Sequence, residues 1–221
     1  MLSKEEVLQQ IRAVGLLPVL RADSEELAMA LAMAIAAAGV RVLEVTMTVP
    51  GALHLIQRLA KERPDILVGA GTVLDPGTAR SCIDAGAQFV VSPALNVSTI
   101  ELCQRHSIAV FPGALTPTEV VTAWRAGADV VKIFPADSMG GAKYLRSLKA
   151  PLPQIEMIPT GGVSLSTAND LLAAGAFALG VGADLVDCKA MAEGGAERIT
   201  QRAMHYVDIV RAFRQEALPR A

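Results

Sequence analysis

The ten residues AGADVVKIFP, positions 126–135, decide how the chain reads, because their opening pattern recurs three more times. AGVRVLEVT begins at Ala38, AGAQFVVSP at Ala85 and AGAFALGVG at Ala174. In each, a glycine suited to the left-handed position just past a helix separates helix formers from an apolar run. The phrase marks a helix end followed by a strand. Successive glycines, Gly39, Gly86, Gly127 and Gly175, leave room for two strand-plus-helix units in every interval. The intervening strands read as ILVGAG from Ile66, IAVFPG from Ile108 and EMIPTGG from Glu156, and LLPVL from Leu16 opens the series.

That makes eight strands, each a nearly continuous apolar run of the kind covered on both faces in parallel sheets. Cap candidates at Asp75-Pro76, Thr116-Pro117 and Ser164-Leu165-Ser166 start helices between them, and Asp23 with Glu26 starts the alanine-rich run from Leu27. A further helix over residues 3–14 carries its own S-x-x-E cap. The expected fold is α/β: a (β/α)8 TIM barrel in a single domain, residues 1–221, with 1–15 as an N-terminal helix and 16–217 as the barrel. A doubly wound open sheet also alternates strand and helix. Against it, no G-x-G-x-x-G follows the first strand, and glycines gather after the third, seventh and eighth.

With 221 residues and 52% hydrophobic content the chain can bury a sizeable core. A formal charge of −2, one tryptophan and two tyrosines argue against a nucleic-acid partner. Cys82, Cys103 and Cys188 are scattered, without C-x-x-C spacing, and read as packing thiols in a reduced compartment. The apolar run Leu27–Val40 is too short to span a membrane, and charges occupy the N-terminal segment where a signal peptide needs apolar residues. A cytoplasmic location without membrane contact is expected. No cofactor or metal ion enters this reading.

Barrel chemistry gathers at the C-terminal ends of strands. The polar residues there are Arg21, Glu44, Thr46, Thr72, Ser92 beside Pro93, Lys132 and Thr160, and only Glu44 and Lys132 are ionisable groups set within apolar strand runs. A charged strand residue is ordinarily a solvated one, but a barrel strand has one face under helices and one in the core. Glu44 and Lys132 must therefore reach the barrel mouth or incur a desolvation cost of several kcal/mol or so. Apolar surroundings favour the free amine of a lysine, which can attack a ketone and form a Schiff base. A nearby carboxylate can shuttle protons during dehydration and carbon–carbon cleavage. A purely structural ion pair between the two is the bland alternative. Thr160-Gly161-Gly162 and Gly182-Ala183 follow the last two strands, where barrels hold phosphate on backbone N–H groups.

Six ordered motifs, LEVT (43–46), VGAGTV (68–73), VVSP (90–93), PGALTPTE (112–119), VKIFP (131–135) and PTGGV (159–163), closely resemble the 2-keto-3-deoxy-6-phosphogluconate (KDPG) aldolase family. The resemblance runs from about Leu17 to Leu185. It implies a class I aldolase and a homotrimer of (β/α)8 barrels, splitting KDPG into pyruvate and glyceraldehyde 3-phosphate in the Entner–Doudoroff pathway, with related activity on 4-hydroxy-2-oxoglutarate. It implies that Lys132 forms the Schiff base and Glu44 is the general acid/base. Thr72 then contacts the pyruvyl carboxylate, Pro93 and Phe134 line the pocket around the imine, and Thr160, Gly161 and Gly162 cradle the phosphate end. Two departures stand out. Thr48 occupies the position where some members carry a carboxylate-binding arginine; Arg21, at the end of the first strand, resembles the arrangement in other members that carry the arginine there instead. Ala183 replaces a frequent serine, leaving only its backbone N–H.

Other readings stay open at this point. The same machinery suits 2-keto-3-deoxy-6-phosphogalactonate or 4-hydroxy-2-oxoglutarate, and a non-catalytic phosphate-binding barrel would use the lysine only to counter an anion. A metal-dependent epimerase needs inward ligands, whereas His54, His106 and His205 fall in or beside helical stretches.

Overall fold

The computed structural model describes residues 2–217, so Met1 and residues 218–221 of the expected domain lie outside the described residues. Helix α1 (Lys4–Val14) opens with the expected capping box: the Ser3 hydroxyl accepts from the Glu6 N–H, and the Glu6 carboxylate accepts from the Ser3 N–H. Strand and helix then alternate as β1 (Leu16–Leu20), α2 (Glu25–Ala37), β2 (Val42–Thr46), α3 (Ala52–Glu62), β3 (Leu67–Gly71), α4 (Pro76–Asp84), β4 (Phe89–Val91) and α5 (Val97–Arg105). The second half continues with β5 (Ala109–Phe111), β6 (Gly113–Ala114), α6 (Pro117–Arg125), β7 (Val131–Ile133), α7 (Ala142–Lys149), β8 (Met157–Pro159), α8 (Ala168–Ala173), β9 (Leu179–Val181), α9 (Cys188–Ala192) and α10 (Ala196–Ala217).

Every strand pair is parallel. Six strands run in the order β5-β4-β3-β2-β1-β9 and three in the order β6-β7-β8, and a bridge between Thr160 and Gly180 links the end of β8 to β9. All the expected strands are present, but the fifth is divided into β5 and β6. Pro112 lies between them and has no N–H to give the ladder, although its carbonyl still accepts from the Lys132 N–H.

Side-chain alternation along the strands decides what reaches the interior. Leu43 and Val45 of β2, like Val131 and Ile133 of β7, belong to the larger core under the helices. Val42 and Val130 belong to a second, inner cluster with Leu17, Leu67, Phe89 and Phe111. Glu44 and Lys132 each lie two residues beyond a member of that inner cluster, so they share its face. Helix α1 closes the other end of the cluster by burying Val7 and Ile11 in it, at about 1.5–3 kcal/mol for each fully buried side chain. Its polar residues tie down the same rim: Lys4 pairs with Asp129 at 2.9 Å, Arg12 with Glu156 at 2.6 Å, and Gln10 donates to the Arg41 carbonyl.

Gly39, Gly86, Gly127 and Gly175 all have positive φ, as the repeated phrase requires. Two helix starts differ from expectation. The cap of α2 is Ser24, whose hydroxyl accepts from the Leu27 N–H, because the extended cap conformation falls one residue after Asp23. Helix α8 begins at Ala168, later than Ser164-Leu165-Ser166 suggests, because Thr167 first closes a turn by accepting from the Ser164 N–H and donating to the Gly162 carbonyl. Such side-chain bonds compete with helix. No helix among the described residues is long and apolar enough to cross a membrane.

Candidate active site

Strands β2 and β7 bring Glu44 and Lys132 together: Nζ lies 3.7 Å from Oε1, and the side chains are 5% and 1% exposed for lysine and glutamate respectively. That distance is beyond hydrogen-bond reach, and neither Glu44 oxygen has a hydrogen-bond partner among the described residues. Burial pushes the Glu44 carboxyl above its ordinary value, and the positive charges of Lys132 and Arg21 only partly offset it. A buried carboxyl left without donors is costly, so this arrangement is poor as a structural ion pair and apt for exchanging protons with something bound beside it.

Glycine makes the space for it. A Cβ on Gly71 would lie 2.0 Å from Glu44 Oε1, and one on Gly113, which pairs with Lys132, would meet the Pro93 backbone at 2.2 Å. The Gly71 clash falls on the Glu44 side chain from Cγ outward and on no backbone atom among its nearest contacts, so Gly71→Ala should keep the fold and push Glu44 aside. A misplacement of about 1 Å costs on the order of 100-fold in rate. The expected result is a kcat lowered by about that factor with an unchanged circular dichroism spectrum, and near-normal turnover would mean that the position of Glu44 is unimportant.

Beside the pair opens a cavity of about 650 Å3, lined by Arg21, Phe134, Thr160, Gly161, Gly162, Gly182 and Ala183, seven of the residues expected from the sequence. Phe134 connects it to the amine, with Lys132 Nζ 5.3 Å from the ring centroid. The other four expected residues, Glu44, Lys132, Thr72 and Pro93, do not line it; Thr72 and Pro93 flank the pair through Gly71 and Gly113. Thr72 has φ 58, one of two non-glycine residues with positive φ among those described. That conformation is costly for a β-branched side chain and clusters at functional sites.

The cavity also takes in Val19, Ser164, Asp184, Val186 and Cys188, which sequence reasoning did not single out. Asp184 stands in the glycine-rich turn after the last strand, so its place there was visible. Cys188 was read as packing only; its thiol donates to the Arg21 carbonyl at 3.0 Å, a contact between residues 167 positions apart. Cys82 and Cys103 are buried, as expected of packing thiols.

The family model for KDPG and KHG aldolases matches residues 7–202. The KHG/KDPG aldolase of Escherichia coli K12 is 37% identical over 191 residues, covering 86% of this chain and 90% of its own length. The 2-dehydro-3-deoxy-phosphogluconate aldolase of Pseudomonas aeruginosa is 39% identical over 162 residues, 73% of this chain and 74% of that protein. Among solved structures, Legionella pneumophila KDPG aldolase with pyruvate captured as a covalent carbinolamine superposes with a TM-score of 0.83 at 31% identity, covering 90% of this chain and 96% of that one.

A parallel α/β scaffold with a buried amine and an unpartnered carboxyl beside a cavity defines an enzyme of carbonyl chemistry, a carbon–carbon lyase. The chain belongs to the KDPG and KHG aldolase family.

Proposed function

We propose that this protein is a class I aldolase that cleaves KDPG to pyruvate and glyceraldehyde 3-phosphate. The observation that carries the reading is the Lys132–Glu44 pair, 3.7 Å apart on the inner face, with both carboxylate oxygens lacking a hydrogen-bond partner among the described residues. In this reading the Lys132 amine adds to the C2 ketone, and the carbinolamine loses water to give a protonated imine. Glu44 then takes the C4 hydroxyl proton, directly or through water; the C3–C4 bond breaks, its electrons pass into the imine as an enamine, and the aldehyde leaves. Glu44 returns a proton to C3, and water releases pyruvate and the amine. Arg21 and Thr72 hold the carboxylate end. Pro93 and Phe134 wall the imine, and the phosphate end rests on Thr160, Gly161, Gly162, Gly182 and Ala183.

The same reading treats the two sheets as one eight-stranded (β/α)8 barrel, with β5 and β6 as a single strand interrupted at Pro112 and the Thr160–Gly180 bridge as the contact between its last two strands. Residues 16–217 then form one barrel domain behind the N-terminal helix, working as a cytoplasmic homotrimer.

Ala183 favours a second reading in part. Without a serine hydroxyl, the phosphate end loses one hydrogen bond to a charged group, a factor of roughly 10 to 100, so turnover of 4-hydroxy-2-oxoglutarate should be substantial. The test is to compare kcat/KM for KDPG and 4-hydroxy-2-oxoglutarate in the wild type and in Arg21→Ala. KDPG should lead in the wild type, and the arginine change should weaken both substrates by about 10- to 100-fold, the worth of a hydrogen bond to a charged group. Equal values in the wild type would move the main activity to the unphosphorylated acid.

A further inference from the structure

The turn that follows β9 is held from outside the cavity. Asp184, next to Gly182 and Ala183 in the cavity wall, turns its carboxylate towards α10. There Oδ2 accepts from the Tyr206 hydroxyl at 2.5 Å and from Arg202 Nε at 3.1 Å, and Oδ1 accepts from Arg202 Nη2 at 2.8 Å. The arginine fork fixes the plane of the carboxylate, and Tyr206 has no solvent exposure. Arg202 and Tyr206 stand four residues apart on one face of α10, which is itself fastened to α2 by the Thr200 hydroxyl donating to the Ala34 carbonyl. Burial alone would raise the Asp184 carboxyl, but the hydrogen bonds from Arg202 and Tyr206 outweigh it and hold it below its ordinary value. Asp184, Gly182 and Ala183 line the same cavity as Gly161, Gly162 and Ser164 of the loop after β8, so the turn it carries faces that loop at the phosphate end.

We propose that Asp184, gripped by Arg202 and Tyr206, is the positioning residue that sets the Gly182-Ala183 turn against the Gly161-Gly162 loop and so determines preference for phosphorylated substrates. The proposal rests on the assignment of that end of the cavity to phosphate. Its electrostatic logic is that a carboxylate beside a phosphate site repels the ligand unless it is tied elsewhere. The grip keeps the Asp184 charge facing α10, while the turn it carries faces the cavity.

Tyr206→Phe removes only the buried hydroxyl, and Arg202→Met removes the exposed fork, so the second variant keeps the test alive if the first fails to fold. In each, the KM for KDPG should rise about tenfold or more while that for 4-hydroxy-2-oxoglutarate moves by less than about twofold, since one charge-assisted bond in Tyr206→Phe and two in Arg202→Met are lost at a site remote from the reacting carbons. Amide hydrogen exchange in residues 161–165 and 182–186 should quicken in parallel. An equal loss for both substrates, or unchanged exchange in those loops, would overturn the positioning role, as would faster exchange with normal KDPG kinetics. If the wild type itself shows no preference for KDPG, the phosphate assignment fails, and substrate preference as the outcome of the grip fails with it. The exchange data then report separately whether the grip holds the loops.

Discussion

Lys132→Met should abolish aldol cleavage, with kcat falling on the order of a million-fold, the scale seen when a covalent nucleophile is removed. In the wild type, pyruvate with borohydride should leave a single pyruvyl adduct, found on the peptide that contains Lys132. The other lysines are differently placed. Lys4 pairs with Asp129, Lys149 donates to the carbonyls of Pro153 and Ile155, and Lys143 is exposed. Lys132 alone combines burial, a carboxyl neighbour and a cavity wall formed by Phe134. An adduct on another lysine, or retained turnover in the methionine variant, would leave the Schiff-base mechanism without its nucleophile. Absence of any adduct would favour a phosphate-binding protein without catalysis.

Glu44→Gln should admit substrate and lower kcat by about 100- to 10,000-fold, the usual contribution of a general acid or base. The pH profile gives a sharper signature. Burial raises the carboxyl above the 4.5 ordinary for a glutamate. The anion needed to accept a proton is therefore lost as pH falls through a value higher than 4.5. The acidic limb of kcat should lie above 4.5 and vanish in the glutamine variant. A limb that survives in Glu44→Gln would assign it to another group.

Much of this was legible in the sequence, for reasons that individual residues make plain. The glycines of the recurring phrase end helices, and only a left-handed backbone was needed to place four strands after them. Glu44 and Lys132 stood out because a charge inside an apolar strand has few places to go. Strands β2 and β7, which belong to different sheets and do not pair, face each other and bring the two side chains within 3.7 Å; their separation along the chain says nothing of it. Local hydrogen bonding moved the start of α8, and the choice between Asp23 and Ser24 turned on one residue of backbone path. The Asp184–Tyr206 bond escaped the sequence because it depends on how the last helix packs across the preceding turn. The space that Gly71 leaves for Glu44 is likewise invisible until β2 and β3 lie side by side.

The plug that α1 forms with Val7 and Ile11 closes the interior at one end, so in the proposed mechanism the site is a cul-de-sac that substrate enters from the side of the Arg21 and Phe134 cavity. Traffic must then queue. The aldehyde fragment, farther from the amine, blocks the exit while it remains, so it departs first. Water follows it in to free the pyruvyl group, which leaves last and is the first ligand to return in the synthetic direction. Pyruvate, able to occupy the blind end alone, accordingly competes with the whole substrate, whereas the aldehyde has no foothold until pyruvate is already attached.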